Sequence, residues 1–191
     1  MKNPPHPIQT ERLDLIPATL RMLECEGDNR ALFGRMLDAR VPQSWPPPLL
    51  DEETRQEFLR ILSEGSDSHF CSWYWVLKDP VRQSRTLIGS GGTASCSWLP
   101  DAVMIGYSVL EEFQNMGYAT EAILALIPHI FSWPAIRRII ATTYPKLKAS
   151  VRVLVKAGFV PGGMNEGGEG IEEGTVMYVL HAPPTYVTTG N

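Results

Sequence analysis

The spacing of apolar residues changes twice along this chain. Residues 8–16, IQTERLDLI, alternate loosely between apolar and polar and predict a first strand. From Thr19 the spacing turns helical, and Thr19 to Glu24 predicts a short helix that stops near Gly27. Asp28 is then the expected N-cap of a second helix, with Leu32, Phe33, Met36 and Leu37 on one face. A third helix opens at Asp51 with Glu52 and Glu53 in its first turn, where acids offset the helix dipole. Phe58, Leu59 and Leu62 form its stripe and Gly65 its stop. The link between the second and third helices, RVPQSWPPPLL, is a proline-rich loop carrying one large aromatic, Trp45.

At residue 72 the period shortens. SWYWVLKD predicts a strand, DPVRQSR a turn, and TLIGSGGTA a strand whose glycines point to a bulge or a close backbone approach. Residues 102–110, AVMIGYSVL, are almost continuously apolar and predict a central strand. Ala119, Ala122, Ile123, Leu126, Ile127 and Ile130 then follow the spacing of a buried helix face, with Pro128 expected to kink the last turn. Residues 136–143 predict a strand. Leu147, Val151, Leu154 and Val155 stripe a further helix that ends at Gly158, with Phe159 as an apolar anchor beyond it. Two closing strands are expected near 159–162 and 175–181, around a glycine-rich acidic loop, MNEGGEGIEEG. The expectation is a single mixed α/β domain over 8–181, with 1–7 and 182–191 as terminal tails.

The chain has 191 residues, 43% of them hydrophobic, enough for one sizeable core. A net charge of −4 argues against a general nucleic-acid binder, which carries a basic excess. Cys25, Cys71 and Cys96 are odd in number and lack metal-ligand spacing, which predicts reduced thiols, no metal site and a cytoplasmic setting. No apolar run approaches the roughly 18 residues of a membrane span, so no membrane association is expected.

The chemistry concentrates where the central strand meets the long helix, at LEEFQNMGYATEA, residues 110–122. A helix beginning near Met116 or Gly117 has unpaired N–H groups in its first turn, a ready site for an anion. Gly117 lets backbone approach a bulky anion, Ala119 keeps the next position small, and Gln114 can add a side-chain donor. Neither the P-loop nor the dinucleotide glycine pattern is present.

Gln114, Gly117 and Ala119, set as Gln-x-x-Gly-x-Ala after IGYSV and before TEA, resemble the acetyl-coenzyme A motif of the GNAT N-acetyltransferases. TERLDL near the N-terminus, Trp75 in WYWV, Ile88-Gly89 and ASVRVLVKAGF at 149–159 resemble, in order, the ribosomal-protein-alanine acetyltransferase branch. The resemblance implies a GNAT fold: a twisted mixed sheet in which the parallel strands 102–110 and 136–143 splay apart. It implies acetyl-coenzyme A (acetyl-CoA) as cosubstrate and no metal. Pantetheine is expected along Tyr107, Ser108, Val109 and Leu110, and pyrophosphate on Gln114, Asn115, Met116, Gly117, Tyr118, Ala119 and Thr120. The implied acceptor is an amine, led by a protein N-terminal α-amine, with a small amine such as an aminoglycoside or polyamine as alternative. A noncatalytic acyl-CoA-binding module is the reading from another class, and a homodimer is allowed.

The chain also departs from that pattern. Leu147 stands where many relatives have an asparagine, Leu154 where many have a tyrosine acid, and Met104 where many have a glutamate; Asp101 is the nearest acid in sequence. Ser150 is the candidate to serve the thiolate, against the alternative of a helix first-turn residue. Trp45 either shapes the acceptor pocket or packs its loop. Tyr107 reads as half core and half pocket wall.

Overall fold

The fold is that of a computed structural model describing residues 6–48, 50–164 and 173–184. In chain order the elements are β1 (Ile8–Gln9), β2 (Leu13–Pro17), α1 (Leu20–Asp28), α2 (Arg30–Leu37), α3 (Glu52–Glu64), β3 (Cys71–Asp79), β4 (Ser84–Ser95) and β5 (Ala102–Val109). A short 3-10 turn, Glu111–Phe113, leads to α4 (Tyr118–Phe131), β6 (Arg138–Thr143), α5 (Lys148–Lys156), β7 (Val160–Met164) and β8 (Val176–His181). The strands form one sheet in the order β1-β2-β3-β4-β5-β6-β8-β7. Only β5 and β6 run parallel; every other neighbouring pair is antiparallel. This is the mixed sheet of the GNAT fold, with the two parallel strands where they were expected.

Both faces of the sheet are covered, which is why β3 is buried at six consecutive positions from Cys71 to Val76. Trp73, Trp75, Ile88, Val103, Ile105 and Val109 pack with Ala122, Ile123, Leu126 and Ile130 of α4 and Leu154 of α5. Tyr74, Val76, Leu87 and Leu110 pack with Met22 and Leu23 of α1 and Phe33 and Leu37 of α2. Among the described residues no helix is long and apolar enough to cross a membrane.

Several boundaries differ from the sequence expectation, each for a local reason. The first strand is two strands, because Thr10 makes a turn: its N–H donates to the Leu13 carbonyl and its hydroxyl accepts from the Leu13 N–H. Helix α1 runs through Gly27 to Asp28; Arg55 of α3 lies beside Gly27 and donates to the Leu23 carbonyl at 2.8 Å. Asn29, not Asp28, caps α2, accepting from the Leu32 N–H. The expected cap and stop of α3 are present, Asp51 accepting from the Thr54 N–H and Gly65 adopting a left-handed conformation. Helix α4 continues past Pro128 to Phe131. The acidic loop falls largely on residues 165–172, outside the described ones.

The glycines of β4 and β5 do opposite things. A Cβ on Gly91 would lie 2.5 Å from Cζ2 of Trp75, a fully buried ring. A Cβ on Gly106 would meet nothing within 4 Å, although β5 is a central strand. Gly91→Ala should therefore cost about 1–3 kcal/mol by overpacking. Gly106→Ala should stay within about 0.5 kcal/mol of wild type. Urea denaturation of both variants checks this, and equal losses would contradict the packing contrast.

Candidate active site

Strands β5 and β6 are paired at three positions only: Ala102 with Arg138, Val103 with Ile139 and Met104 with Ile140. Beyond Met104 they part. β5 stays with β4 as far as Val109, and β6 stays with β8 as far as Thr143. The side of β5 that faced β6 thus has no strand neighbour from Ile105 to Val109, although it lies in the middle of the sheet. Backbone amides there are available to a ligand of extended, strand-like shape. The closed end of this V is pinned at Asp101. Its carbonyl accepts from the Arg137 N–H at 2.8 Å, and its carboxylate accepts from the Arg138 guanidinium. Asp101, the acid nearest in sequence to Met104, is therefore committed to an ion pair at the end of β5 away from the turn.

The turn stands at the open end. Asn115 and Gly117 both have left-handed backbone, φ 60° and 85°, which reverses the chain into α4. No side chain caps this helix, because its capping residue is glycine. The first intrahelical bond runs from the Glu121 N–H to the Gly117 carbonyl, so the N–H groups of Tyr118, Ala119 and Thr120 have no intrahelical acceptor. Gln114 does something other than add a donor to that cradle. Its side-chain amide folds back and donates to the Val109 carbonyl at 3.0 Å, closing the end of β5. Met116 is exposed, and the Asn115 side chain accepts from Arg152 of α5.

Inside the V a packed series of side chains runs from β4 to α5. Gly89 and Gly91 leave the width for the indole of Trp75 to lie across β4. That indole stacks against the Tyr107 ring, 6.3 Å between centroids and 24° between planes. The Tyr107 hydroxyl reaches the first turn of α5, 3.3 Å from both Oγ and the carbonyl oxygen of Ser150. Burial pushes the Tyr107 phenol up to about 12, partly opposed by the Ser150 contact. The phenol therefore stays protonated at neutral pH and acts as a donor. Ser150 is a first-turn residue of α5, whose cap is Leu147 with no side-chain bond. Leu154, in the slot of the usual tyrosine, is fully buried in the core. A phenol is present all the same, delivered from the strand side.

On the other face, Ser108 donates its hydroxyl to the Pro48 carbonyl, fastening the proline-rich loop over β5. A cleft of about 490 Å³ opens beside it, lined by Pro46, Pro47 and Pro48, by Leu110, and by Asp51, Glu111 and Glu112. Trp45 is not on that surface. Its ring is 5% exposed, packed with Phe33 and Tyr74, and its Nε1–H donates to Glu26 at 2.7 Å. The loop faces the cleft with prolines because an indole with a buried carboxylate partner belongs inside. Burial raises the Glu26 carboxyl pKa, while the Tyr74 and Trp45 hydrogen bonds pull it down; the net shift is upward.

The histidines lie apart from this region. His69 and His129 flank Trp133, at 5.5 and 5.7 Å between centroids, and His69 also contacts Ser95, which pairs with Val103 at the closed end. Among the described residues, no group of three or more potential metal ligands is found. Two ionisable residues to which sequence reasoning assigned no role in the site do touch it. Glu26 anchors the proline loop, and Arg12 stands at the mouth of α4, donating to the Met116 carbonyl across 104 positions of chain. Arg12 lies in the TERLDL stretch, but nothing local in that stretch names its partner.

The family model for the acetyltransferase (GNAT) domain matches residues 18–160. The chain belongs to this family and is an N-acetyltransferase; GNAT acetyltransferases use acetyl-CoA. Comparison with curated proteins by sequence finds no match. Among solved structures the chain is similar to the RimL ribosomal alpha-N-protein acetyltransferase in complex with coenzyme A. Identity is 20% and the TM-score 0.62, over 92% of this chain and 97% of that one. It is similar to a ribosomal-protein alanine acetyltransferase from Vibrio fischeri at 20% identity and TM-score 0.60, over 92% and 96% of the two chains. A GNAT-family acetyltransferase from Bacillus anthracis gives 21% and 0.58, over 92% and 98%. At such identities the likeness concerns the fold.

The packing of Trp45 generates a stability prediction. Trp45→Ala should cost about 3–5 kcal/mol, the scale for deleting a buried aromatic. Denaturant unfolding measures it; a loss under 1 kcal/mol would mean that the indole is not the core anchor it is taken for.

Proposed function

We propose that this enzyme transfers acetyl from acetyl-CoA to a protein N-terminal α-amine, in the cytoplasm, where three free thiols are at home. The observation that carries the coenzyme reading is the unpaired edge of β5, running directly into an uncapped helix N-terminus. Amides of Ile105 to Val109 suit pantetheine, and the N–H groups of Tyr118, Ala119 and Thr120 suit pyrophosphate. Ser150 then serves the departing thiolate, with the Tyr107 phenol as a neutral donor behind it. The N-terminal field of α5 favours negative charge at that spot.

The acceptor reading rests on acid–base chemistry. Met104 holds the position before Ile-Gly-Tyr, and it packs among apolar neighbours including Leu99 and Met177. With no carboxylate at that position, the reaction favours an amine that is neutral without help. At pH 7 about a tenth of α-amines are neutral, against fewer than about one in a thousand lysine amines. The amine approaches from the face where Gly106 leaves space and the proline loop meets Ser108, so segment 28–70 forms the acceptor side.

Two experiments test this. Acetyl-CoA should raise the melting temperature of wild type and of a folded Gly117→Glu variant unequally, the shift vanishing in the variant where bulk and like charge occupy the cradle. An undiminished shift in that variant would move the pyrophosphate elsewhere. Thiol release should be fastest with unblocked peptides and lost when their α-amines are acetylated; preference for a polyamine would favour the small-amine alternative. No release with any amine, despite a thermal shift, would indicate a binding module. In the same assay Ser150→Ala should lower kcat on the order of a hundredfold, with acetyl-CoA affinity unchanged.

A further inference from the structure

Arg12 belongs to the turn between β1 and β2, outside residues 18–160 matched by the family model. Its guanidinium nevertheless lies against the first turn of α4. Nε donates to Glu121 Oε2 at 2.7 Å, Nη1 donates to the Met116 carbonyl at 3.0 Å, and the group sits 4.5 Å over the Tyr118 ring. Nη2 runs beside Gly117, within 3.4 Å of where a Cβ would stand. The backbone N–H of Arg12 donates to Glu121 Oε1 at 2.8 Å, and the Thr10 hydroxyl donates to the same oxygen at 2.6 Å. The turn itself is braced by Lys78, which donates to the Thr10 carbonyl.

These contacts solve an electrostatic problem. Glu121 is in the first turn of α4, and helical side chains lean toward the N-terminus. Its carboxylate is therefore carried toward the N-terminal end of the helix, where Arg12 meets it beside Gly117 and the Met116 carbonyl. Burial works to raise its pKa, but the bonds from Thr10 and Arg12 outweigh burial and keep it below the ordinary value, so it is ionised. An unneutralised carboxylate there would repel the ligand.

We propose that Arg12 is a positioning residue for the coenzyme pyrophosphate: it cancels the charge of Glu121 and holds the Met116 carbonyl so that the left-handed Asn115–Gly117 turn presents its N–H groups outward. The N-terminal hairpin is thereby part of the coenzyme site. This rests on the acetyl-CoA reading above.

The test compares acetyl-CoA with S-acetyl-pantetheine, which lacks the pyrophosphate. In calorimetry R12Q should raise the Kd for acetyl-CoA about tenfold or more, the scale of one lost hydrogen bond to a charged group. The rise in melting temperature produced by millimolar S-acetyl-pantetheine should match wild type. If R12Q does not fold, R12K carries the test, since lysine keeps the charge but replaces by one nitrogen the two that hold Glu121 and Met116. Its Kd should rise several-fold, again without change toward S-acetyl-pantetheine. A folded variant with unaltered acetyl-CoA affinity overturns the proposal, and so does equal weakening toward both ligands, which would mark a general structural role. Wild type that binds no acetyl-CoA overturns the coenzyme reading itself, and with it this inference.

Discussion

The candidate site is organised around β5 and β6 pairing at only three positions. Each strand has a better partner on its other side. β4 accompanies β5 through seven residues, and β8 accompanies β6 through six. The right-handed twist of the two antiparallel halves carries the parallel strands away from each other once the Asp101–Arg138 clamp is passed. A sheet interior seldom tolerates an unpaired strand side, because buried amides without partners are costly. Here the parting leaves the edge of β5 without a strand partner from Ile105 to Val109, and that strand runs directly into the uncapped end of α4.

The walls of the V are held by contacts between distant parts of the chain. The glycines of β4 fit the indole of Trp75, the indole supports the ring of Tyr107, and the phenol meets Ser150 on α5. On the opposite face a carboxylate, an indole and a phenol (Glu26, Trp45 and Tyr74) lock the proline-rich loop to the second core. The loop can then rest on Ser108. The two sides differ in kind: the edge of β5 and the turn into α4 offer mostly backbone, whereas the other face offers mostly side chains on a pinned loop.

Much of the fold was legible in the sequence. The long apolar run of β5, the stripe of α4 and the caps of α3 are governed by local rules of period and termination, and each falls where the pattern puts it. Some of the boundaries that moved were met by contacts from outside the segment, others by a turn inside it. Gly27 did not end α1, and the Arg55 guanidinium of α3 fills the space beside it. The first strand broke in two because Thr10 bonds Leu13 in both directions.

For the site, the sequence by itself determined the turn: an apolar strand, a glycine with the backbone freedom to reverse direction, small residues, then a helix. These are local properties of neighbouring residues, and local sterics enforce them. Only the tertiary structure decided where the side chains go. It folded Gln114 back onto Val109, buried Trp45 on Glu26, set Tyr107 against Ser150 and brought Arg12 to the mouth of α4. Those choices depend on the desolvation of charges and the filling of volume between segments scores of residues apart. No spacing along the chain encodes them, since the partners become neighbours only after the sheet has formed.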